Sequence, residues 1–427
     1  MLAEFDRQMR RDPAPEPGIS IEREEHLTRV VADGDGWNGV LWAGLAGPDA
    51  SAGPDVNTVI EAQVTRFAGT ARPWEWKHYS YDRPADLPER LRTAGFAAEP
   101  PETLLVAELA DLDLGAGPPA GVRLVPVTDA AGAAAVVQVH DQVFGGDHAA
   151  IGAAIMAALG QRPHPVEAVV AFAGEEPVCA ARVEFPAGRD FAGLWGGGTL
   201  PAWRGRGVFR SLVAYRARLA RGRGYRYLQA DASAGSRPIL ERLGFTELAR
   251  TTPFVRPAGV LAERVELQPV PLGLARILAD PATGPAAWPS WARGYPLPGT
   301  RIAARMLLRG AEAAGDAADG RIPPWGMFQI VLRGTGEVIG DIGFHGPPDP
   351  AGTAEIGYGL VEGHRGRGLA GESAVAVCAL AWSRPGVRRI VAQTDQANAP
   401  SAGVLRHAGF HDDGTADGMR HFSLPRP

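Results

Sequence analysis

Apolar and polar positions run more than once through a single succession: an apolar strand, a loop, a helix, a second strand, and a short helix ending Leu-x-x-x-Gly-Phe. Near the C-terminal end, Ala354 to Val361 reads as a strand and Arg365-Gly366-Arg367-Gly368 cannot continue it. Ser373 to Trp382 is then an almost unbroken apolar run suited to a buried helix. Upstream, the pattern predicts strand Val265 to Val270, helix Leu272 to Leu278, a Trp/Pro/Gly-rich loop from Pro281 to Thr300, helix Arg301 to Ala314, and paired strands Met327 to Leu332 and Val338 to Phe344.

The middle of the chain repeats this order. It predicts strand Val122 to Val127, helices Ala131 to Phe144 and Ala149 to Leu159, a hairpin of Glu167 to Ala173 with Glu176 to Phe185, and glycine-rich Leu194 to Leu200. Pro201 to Phe209 then opens a helix that keeps Val208, Leu212, Tyr215 and Leu219 on one side. Strand Tyr225 to Ala230 and helix Ser236 to Leu243 follow. Between Gly34 and Leu109 the order recurs with strand Gly39 to Leu45, helix Val56 to Phe67, strand Trp74 to Tyr81, helix Ala85 to Ala94 and strand Thr103 to Leu109. The Leu-x-x-x-Gly-Phe endings at Gly95, Gly244 and Gly409 lie at domain-sized intervals. Breaker clusters at Pro118-Pro119-Ala120-Gly121 and Arg256-Pro257-Ala258-Gly259 then divide the chain into 1–117, 118–258 and 259–427.

Two of the loops have the chemistry of an anion site. A glycine-rich turn that opens a helix presents free backbone amides and the positive end of the helix dipole, and its glycines let a phosphate approach. Arg204-Gly205-Arg206-Gly207-Val208-Phe209 and Arg365-Gly366-Arg367-Gly368-Leu369-Ala370 both have a strand before and a helix after. A third RGRG, Arg221 to Gly224, follows a helix and precedes a strand, so it reads as a cap and turn without a ligand. The first unit has Ala52-Gly53-Pro54-Asp55 at the loop position, with an acid and no arginine, and so reads as degenerate.

The pattern R-x-x-G-x-[G/A], filled by Arg365, Gly368 and Ala370, followed by Asn398-x-x-Ser401 and the LRHAGF ending, resembles the GNAT superfamily of acetyl-CoA-dependent N-acetyltransferases. The last unit, with its EIGY strand, is most similar to the ribosomal-protein alanine acetyltransferase branch. The resemblance implies an α/β protein of tandem GNAT-like domains, with mixed, largely antiparallel twisted sheets flanked by helices and opened between two strands. It also implies that each loop grips the coenzyme A pyrophosphate while Gly197, Gly198 and Thr199, or Tyr358, Gly359 and Leu360, line the pantetheine arm. The middle loop departs from the pattern at Phe209 and has Ser233 in place of Asn398, although Ser236 matches Ser401.

Acyl transfer to an amine needs a base, and Glu355, in the strand leading to the loop, is the candidate. The corresponding middle position, counted back from the loop arginine, is Leu194. The tyrosine that many members use to protonate the leaving thiolate is replaced by Leu240 and Leu405. The acceptor is expected to be a protein N-terminus or a small amine. A binding-only role as an acyl-CoA sensor or scaffold is the other reading.

Composition narrows the partners. With 43 basic and 48 acidic residues the net charge is -5, which gives no whole-chain attraction for nucleic acid or an anionic membrane. The longest apolar run, Ala149 to Gly160, is too short to span a bilayer, and the early charges do not suit a signal peptide, so a cytoplasmic protein is expected. Cys179 and Cys378 have no disulfide or metal spacing, and His140 and His148 lack a third ligand, so no metal is expected.

Overall fold

The computed structural model describes residues 1–427 apart from 17, 34–35, 46–53, 69–71, 285–287, 316–317 and 319. Two compact units interleave along the chain. The first comprises Met1–Ala43, Lys77–Tyr81 and Pro100–Thr252, and the second Gly44–Trp76, Asp82–Glu99 and Pro253–Pro427.

The second unit holds an eight-stranded sheet in the order Val260–Leu261, Val265–Pro269, Met327–Leu332, Val338–Phe344, Thr353–Leu360, Arg389–Asp395, Met419–Pro425, His411–Ala416. Helices Leu272–Ala279, Pro298–Ala313, Leu369–Trp382 and Ala399–His407 flank it. The helix Leu369–Trp382 buries Ala374, Val377 and Ala381, one helical stripe, as the apolar run predicts. It starts earlier than Ser373 because Gly368, in the left-handed region with φ +78°, turns the chain directly into it. Pro298–Ala313 buries Thr300, Ala304 and Ala311 and leaves Ile302 and Met306 exposed.

The first unit repeats this order with Val122–Pro126, Val166–Ala173, Glu176–Glu184, Phe191–Thr199 and Tyr227–Ala232. The next slot differs. In the second unit Met419–Pro425 lies antiparallel to Arg389–Asp395 and His411–Ala416. In the first unit that slot is filled by Glu102–Glu108, antiparallel to Tyr227–Ala232 and Thr246–Arg256. A strand from residues 1–117 therefore completes the sheet of residues 118–258. Its Leu105 and Ala107 sit in one core cluster with Val183, Ala192, Val213, Leu228 and Leu240.

The repeated Leu-x-x-x-Gly-Phe endings are one capping device used three times. Phe96, Phe245 and Phe410 donate their backbone N–H to the carbonyls of Leu91, Leu240 and Leu405, at 3.0, 3.2 and 3.0 Å. The glycine between takes φ of +89°, +98° and +89°, which is the glycine-dependent helix stop. Arg221 to Gly224 ends its helix in the same way: Tyr225 N–H donates to Ala220 at 3.1 Å, and Gly224 has φ +83°. At the degenerate loop, Ala52 and Gly53 lie outside the described residues. Asp55 caps helix Val56–Phe67 by accepting from Thr58 N–H at 2.7 Å, which puts a carboxylate where an anion would bind.

Leu105 is fully buried, so Leu105→Ala is expected to cost about 2–5 kcal/mol in denaturant unfolding. A loss below about 0.5 kcal/mol, the size of a surface effect, would mean that Glu102–Glu108 is not part of this core.

Candidate functional site

Each unit has a pair of parallel strands that meet and then part. In the second unit Thr353–Leu360 pairs with Arg389–Asp395 only at Thr353–Arg389, Ala354–Ile390 and Glu355–Val391. In the first, Phe191–Thr199 pairs with Tyr227–Ala232 only at Phe191–Tyr227, Ala192–Leu228 and Gly193–Gln229. Beyond those positions the two strands share no ladder bonds, which leaves a slot with backbone groups on its walls.

The glycine loops stand past the open ends and have the same conformation. Gly205 and Gly207 take φ +73° and +84°, and Gly366 and Gly368 take +73° and +78°. A side chain carbon added at Gly205, Gly207 or Gly366 would meet nothing within 4 Å, so these loops are open. The first intrahelical bonds run from Ser211 to Gly207 and from Glu372 to Gly368. The preceding amides, those of Val208 and Phe209 and of Leu369 and Ala370, therefore have no intrahelical acceptor.

The loop arginines divide their work. Arg204 and Arg365 donate through Nε to the carbonyls of Thr199 and Leu360, at 3.1 and 3.0 Å, and so tie the loop back to its strand. Arg206 lies over the Trp203 ring. The Arg367 carbonyl accepts from Arg264 Nη1 at 2.9 Å. Arg264, which the sequence pattern did not single out, also pairs with Glu372 at 2.8 Å and brings Nη2 to 3.4 Å from where a side chain on Gly368 would begin. Burial alone would raise the Glu372 carboxyl, but the Arg264 and Val265 amides and the Arg264 guanidinium hold it below its ordinary range. The first unit has Gly121 before its first strand, where the second has Arg264.

The remaining expected residues take defined places. Asn398 caps helix Ala399–His407 by accepting from Ser401 N–H at 3.1 Å, and Tyr358 donates its hydroxyl to the Ser401 carbonyl at 3.0 Å. Phe209 packs on the core cluster, and its ring would stand 2.6 Å from a side chain at Gly197, so it narrows the strand side of the slot and leaves the loop mouth open. Leu240 and Leu405 are buried in the caps described above.

Cross-strand pairs reveal what the two units do not share. In the second unit Asp341 faces Gly359, Gly343 faces Gly357, and His345 N–H donates to the Glu355 carbonyl at 3.0 Å. The same positions in the first unit are Ala180 with Gly198, Arg182 with Trp195, and Glu184 with Gly193. A bulge between Trp195 and Gly198 inserts one residue, so Gly193 corresponds to Glu355 and the count that gave Leu194 is one residue off. Neither residue is a carboxylate.

The second unit's floor is consequently open, and a cavity of about 420 Å³ lies over it. Leu297, Ile302, Met306, Met327 and Phe344 form its apolar wall, and Asp341, Thr300 and His345 also line it. His345 Nδ1 lies 3.3 Å from Glu355 Oε1, and its Nε2 would be 2.8 Å from a side chain on Gly357. The imidazole thus lies over the glycine floor, oriented by the carboxylate. Hairpin register could have found His345, because it is the residue opposite Glu355. In the first unit a cavity of about 830 Å³ instead follows the loop, lined by Gly197, Thr199, Arg204, Gly207, Phe209 and Phe144 among others. Among the described residues, no group of three His, Cys, Asp or Glu side chains could hold a metal ion, and no helix is long and apolar enough to cross a membrane.

Residues 264–411, which carry this geometry, match the family described as Acetyltransferase (GNAT) domain. That match makes residues 264–411 a GNAT acetyltransferase domain. Uncharacterized N-acetyltransferase p20 of Bacillus licheniformis is 34% identical over 87 residues, 20% of this chain and 49% of its own length. Uncharacterized N-acetyltransferase YjdG of Bacillus subtilis (strain 168) is 37% identical over 81 residues, 19% of this chain and 48% of its own. The chain spans about half the length of the curated relatives it matches. A solved GCN5-related N-acetyltransferase from Kribbella flavida is similar at 23% identity and a TM-score of 0.46, the match covering 57% of this chain and 91% of that one.

Asp341 contributes an acid to this GNAT domain at an energetic cost. Burial lifts its carboxyl from the ordinary 3.8 to about 6, against the lowering effect of the Thr300 hydroxyl. The folded state holds this proton more tightly than the unfolded chain, so the stability present below the unfolded value is lost as pH rises through about 6. Asp341→Asn is expected to melt like the parent near pH ~4 and to be more stable by about 1–3 kcal/mol above pH ~7. A less stable Asn variant at neutral pH would contradict this.

Proposed function

We propose that the second unit transfers an acetyl group from acetyl-CoA to the nitrogen of a primary amine, by direct attack in a complex holding both substrates. One observation carries the reading: Thr353–Leu360, where it parts from Arg389–Asp395, leads to an open glycine loop and borders a cavity lined by His345, whose Nδ1 lies 3.3 Å from Glu355. The amides that open helix Leu369–Trp382, with Gly366 and Gly368 beside them and Arg264 and Arg367 at the rim, fit the paired phosphates of coenzyme A. The walls at Tyr358, Gly359 and Leu360 fit the pantetheine arm, and Asn398 and Ser401 bound its far side. Bound acetyl-CoA would supply the activated acyl carbon.

The acceptor must lose a proton to become nucleophilic. Glu355 orients His345 through Nδ1, and Nε2 takes the proton over the floor. The amine nitrogen then bonds the thioester carbonyl carbon, and the carbon–sulfur bond breaks. The oxyanion is met by a backbone amide of Thr353–Leu360 on the His345 side of the floor. The nitrogen gives its second proton to water as the amide forms, and sulfur leaves as thiolate and is protonated from water, since Leu405 offers none. Direct attack is favoured because burial pushes the Cys378 thiol up to about 12 and the Cys179 thiol up to about 11, which removes both as nucleophiles. The acceptor is a protein N-terminus or a small amine, and a cytoplasmic setting suits either.

For the first unit a second reading is favoured by a specific observation. Arg182 and Trp195 stand on the floor where the second unit has Gly343 and Gly357, and Gly193 replaces Glu355. Its loop, Arg204 to Phe209, would then bind acyl-CoA without turnover, as a sensor or scaffold. In this account 1–117, 118–258 and 259–427 are three GNAT-like units, the first degenerate, with an acid and no arginine at the loop position.

Titration of the intact chain with coenzyme A is expected to give two equivalents, and Gly207→Glu and Gly368→Glu should each remove one. Unchanged stoichiometry in either variant would remove that loop from the account. Glu355→Gln should lower kcat by about 10²-fold or more with the coenzyme affinity unchanged, read by thiol release. A kcat equal to the parent's would remove Glu355 from the reaction.

A further inference from the structure

Nothing in acetyl transfer itself requires the carboxylate at the far end of the second unit's cavity. Asp341 lines that cavity while being only 6% exposed. One of its oxygens accepts the Thr300 hydroxyl, whose own oxygen accepts from Leu297 N–H at 3.0 Å. The other oxygen has no hydrogen-bond partner among the described residues. That oxygen is therefore available to a hydrogen-bond donor entering the cavity.

Its position says what that donor belongs to. Asp341, Gly343 and His345 alternate along one strand, so all three point to the same face, opposite Gly359, Gly357 and Glu355. Four residues of strand separate the Asp341 and His345 backbones by roughly 13 Å. Between them the floor is glycine. A side chain on Gly359 would stand 2.9 Å from Leu297 Cδ1 and one on Gly357 2.8 Å from His345 Nε2, so glycine at both positions lets Leu297 and His345 lie close over the floor. The cavity wall is apolar, with Ile302 and Met306 exposed on the covering helix. The cavity therefore has a proton acceptor at one end, an apolar middle and a buried anion at the other. The first unit has Ala180 in place of Asp341.

We propose that the acceptor of the second unit is an amine with an apolar spacer and a second hydrogen-bond donor at its far end, the first nitrogen lying at His345 and the distal donor on Asp341. This rests on reading the second unit as the acetyl-transfer site. It makes Asp341 a specificity residue that holds the end of the acceptor remote from the reacting nitrogen.

Calorimetric binding to the intact chain tests this with three probes of matched length: n-alkylamines, α,ω-diaminoalkanes and ω-amino alcohols. At one chain length the diamine or the amino alcohol should bind about tenfold or more tighter than the monoamine, as expected for a hydrogen bond to a charged group. The diamine binding tighter than the amino alcohol would identify the donor as a cation, and the reverse as a hydroxyl. The advantage should vanish in Asp341→Leu and shrink in Asp341→Asn, with thermal melts confirming folded variants. If the leucine variant does not fold, the asparagine variant carries the test. Equal affinity for all three probes, or an advantage that survives in Asp341→Asn undiminished, would overturn the proposal. The two readings fail separately: probe binding without thiol release from acetyl-CoA would end acetyl transfer and leave the Asp341 subsite standing. Turnover of alkylamines with no advantage for a second donor would do the reverse.

Discussion

Two parallel strands that begin as partners and then separate govern the site in each unit. A sheet tolerates such a gap poorly, because the backbone groups along it lose their ladder bonds. Here the cost falls where the next element is a loop with two left-handed glycines and a helix start with unpaired amides. Walls, mouth and anion cradle are therefore parts of one arrangement. The pairing that ends at Glu355–Val391 and at Gly193–Gln229 sets where the slot opens, and the helices Leu369–Trp382 and Val208–Gly222 set where it points.

On this shared frame the two units differ by a few cross-strand pairs. Asp341, Gly343, His345, Glu355 and Gly357 become Ala180, Arg182, Glu184, Gly193 and Trp195. In the second unit glycine faces glycine under His345, and in the first an arginine faces a tryptophan. The splayed strands and glycine loop are kept in both units, while the Asp341, His345 and Glu355 side chains occur in one. Arg264, present at the second loop and replaced by Gly121 at the first, follows the same division.

Much of this was legible in the sequence, because most of the elements rest on local signals. Helix Val56–Phe67 and strands Met327–Leu332 and Val338–Phe344 begin and end where apolar periodicity and caps place them. The glycine loops were equally plain, since only glycine suits their positive φ. Three features were not legible. Glu102–Glu108 joins strands more than a hundred residues downstream, and no local pattern encodes such a partner. The bulge at Trp195–Gly198 shifts the register by one residue without an unusual residue to announce it beyond the glycines themselves. The strand His411–Ala416 is exposed throughout and carries no apolar alternation. His345 and Asp341 became visible as site residues only once the hairpin register set them opposite Glu355 and Gly359.

The most direct test is a crystal structure of the intact chain grown with coenzyme A. The account predicts diphosphate oxygens within hydrogen-bond distance of the Leu369 and Ala370 amides, with the pantetheine arm between Ile356–Leu360 and Ala392–Asp395. Coenzyme bound elsewhere in the second unit, with the slot and loop empty at saturating concentration, would contradict it.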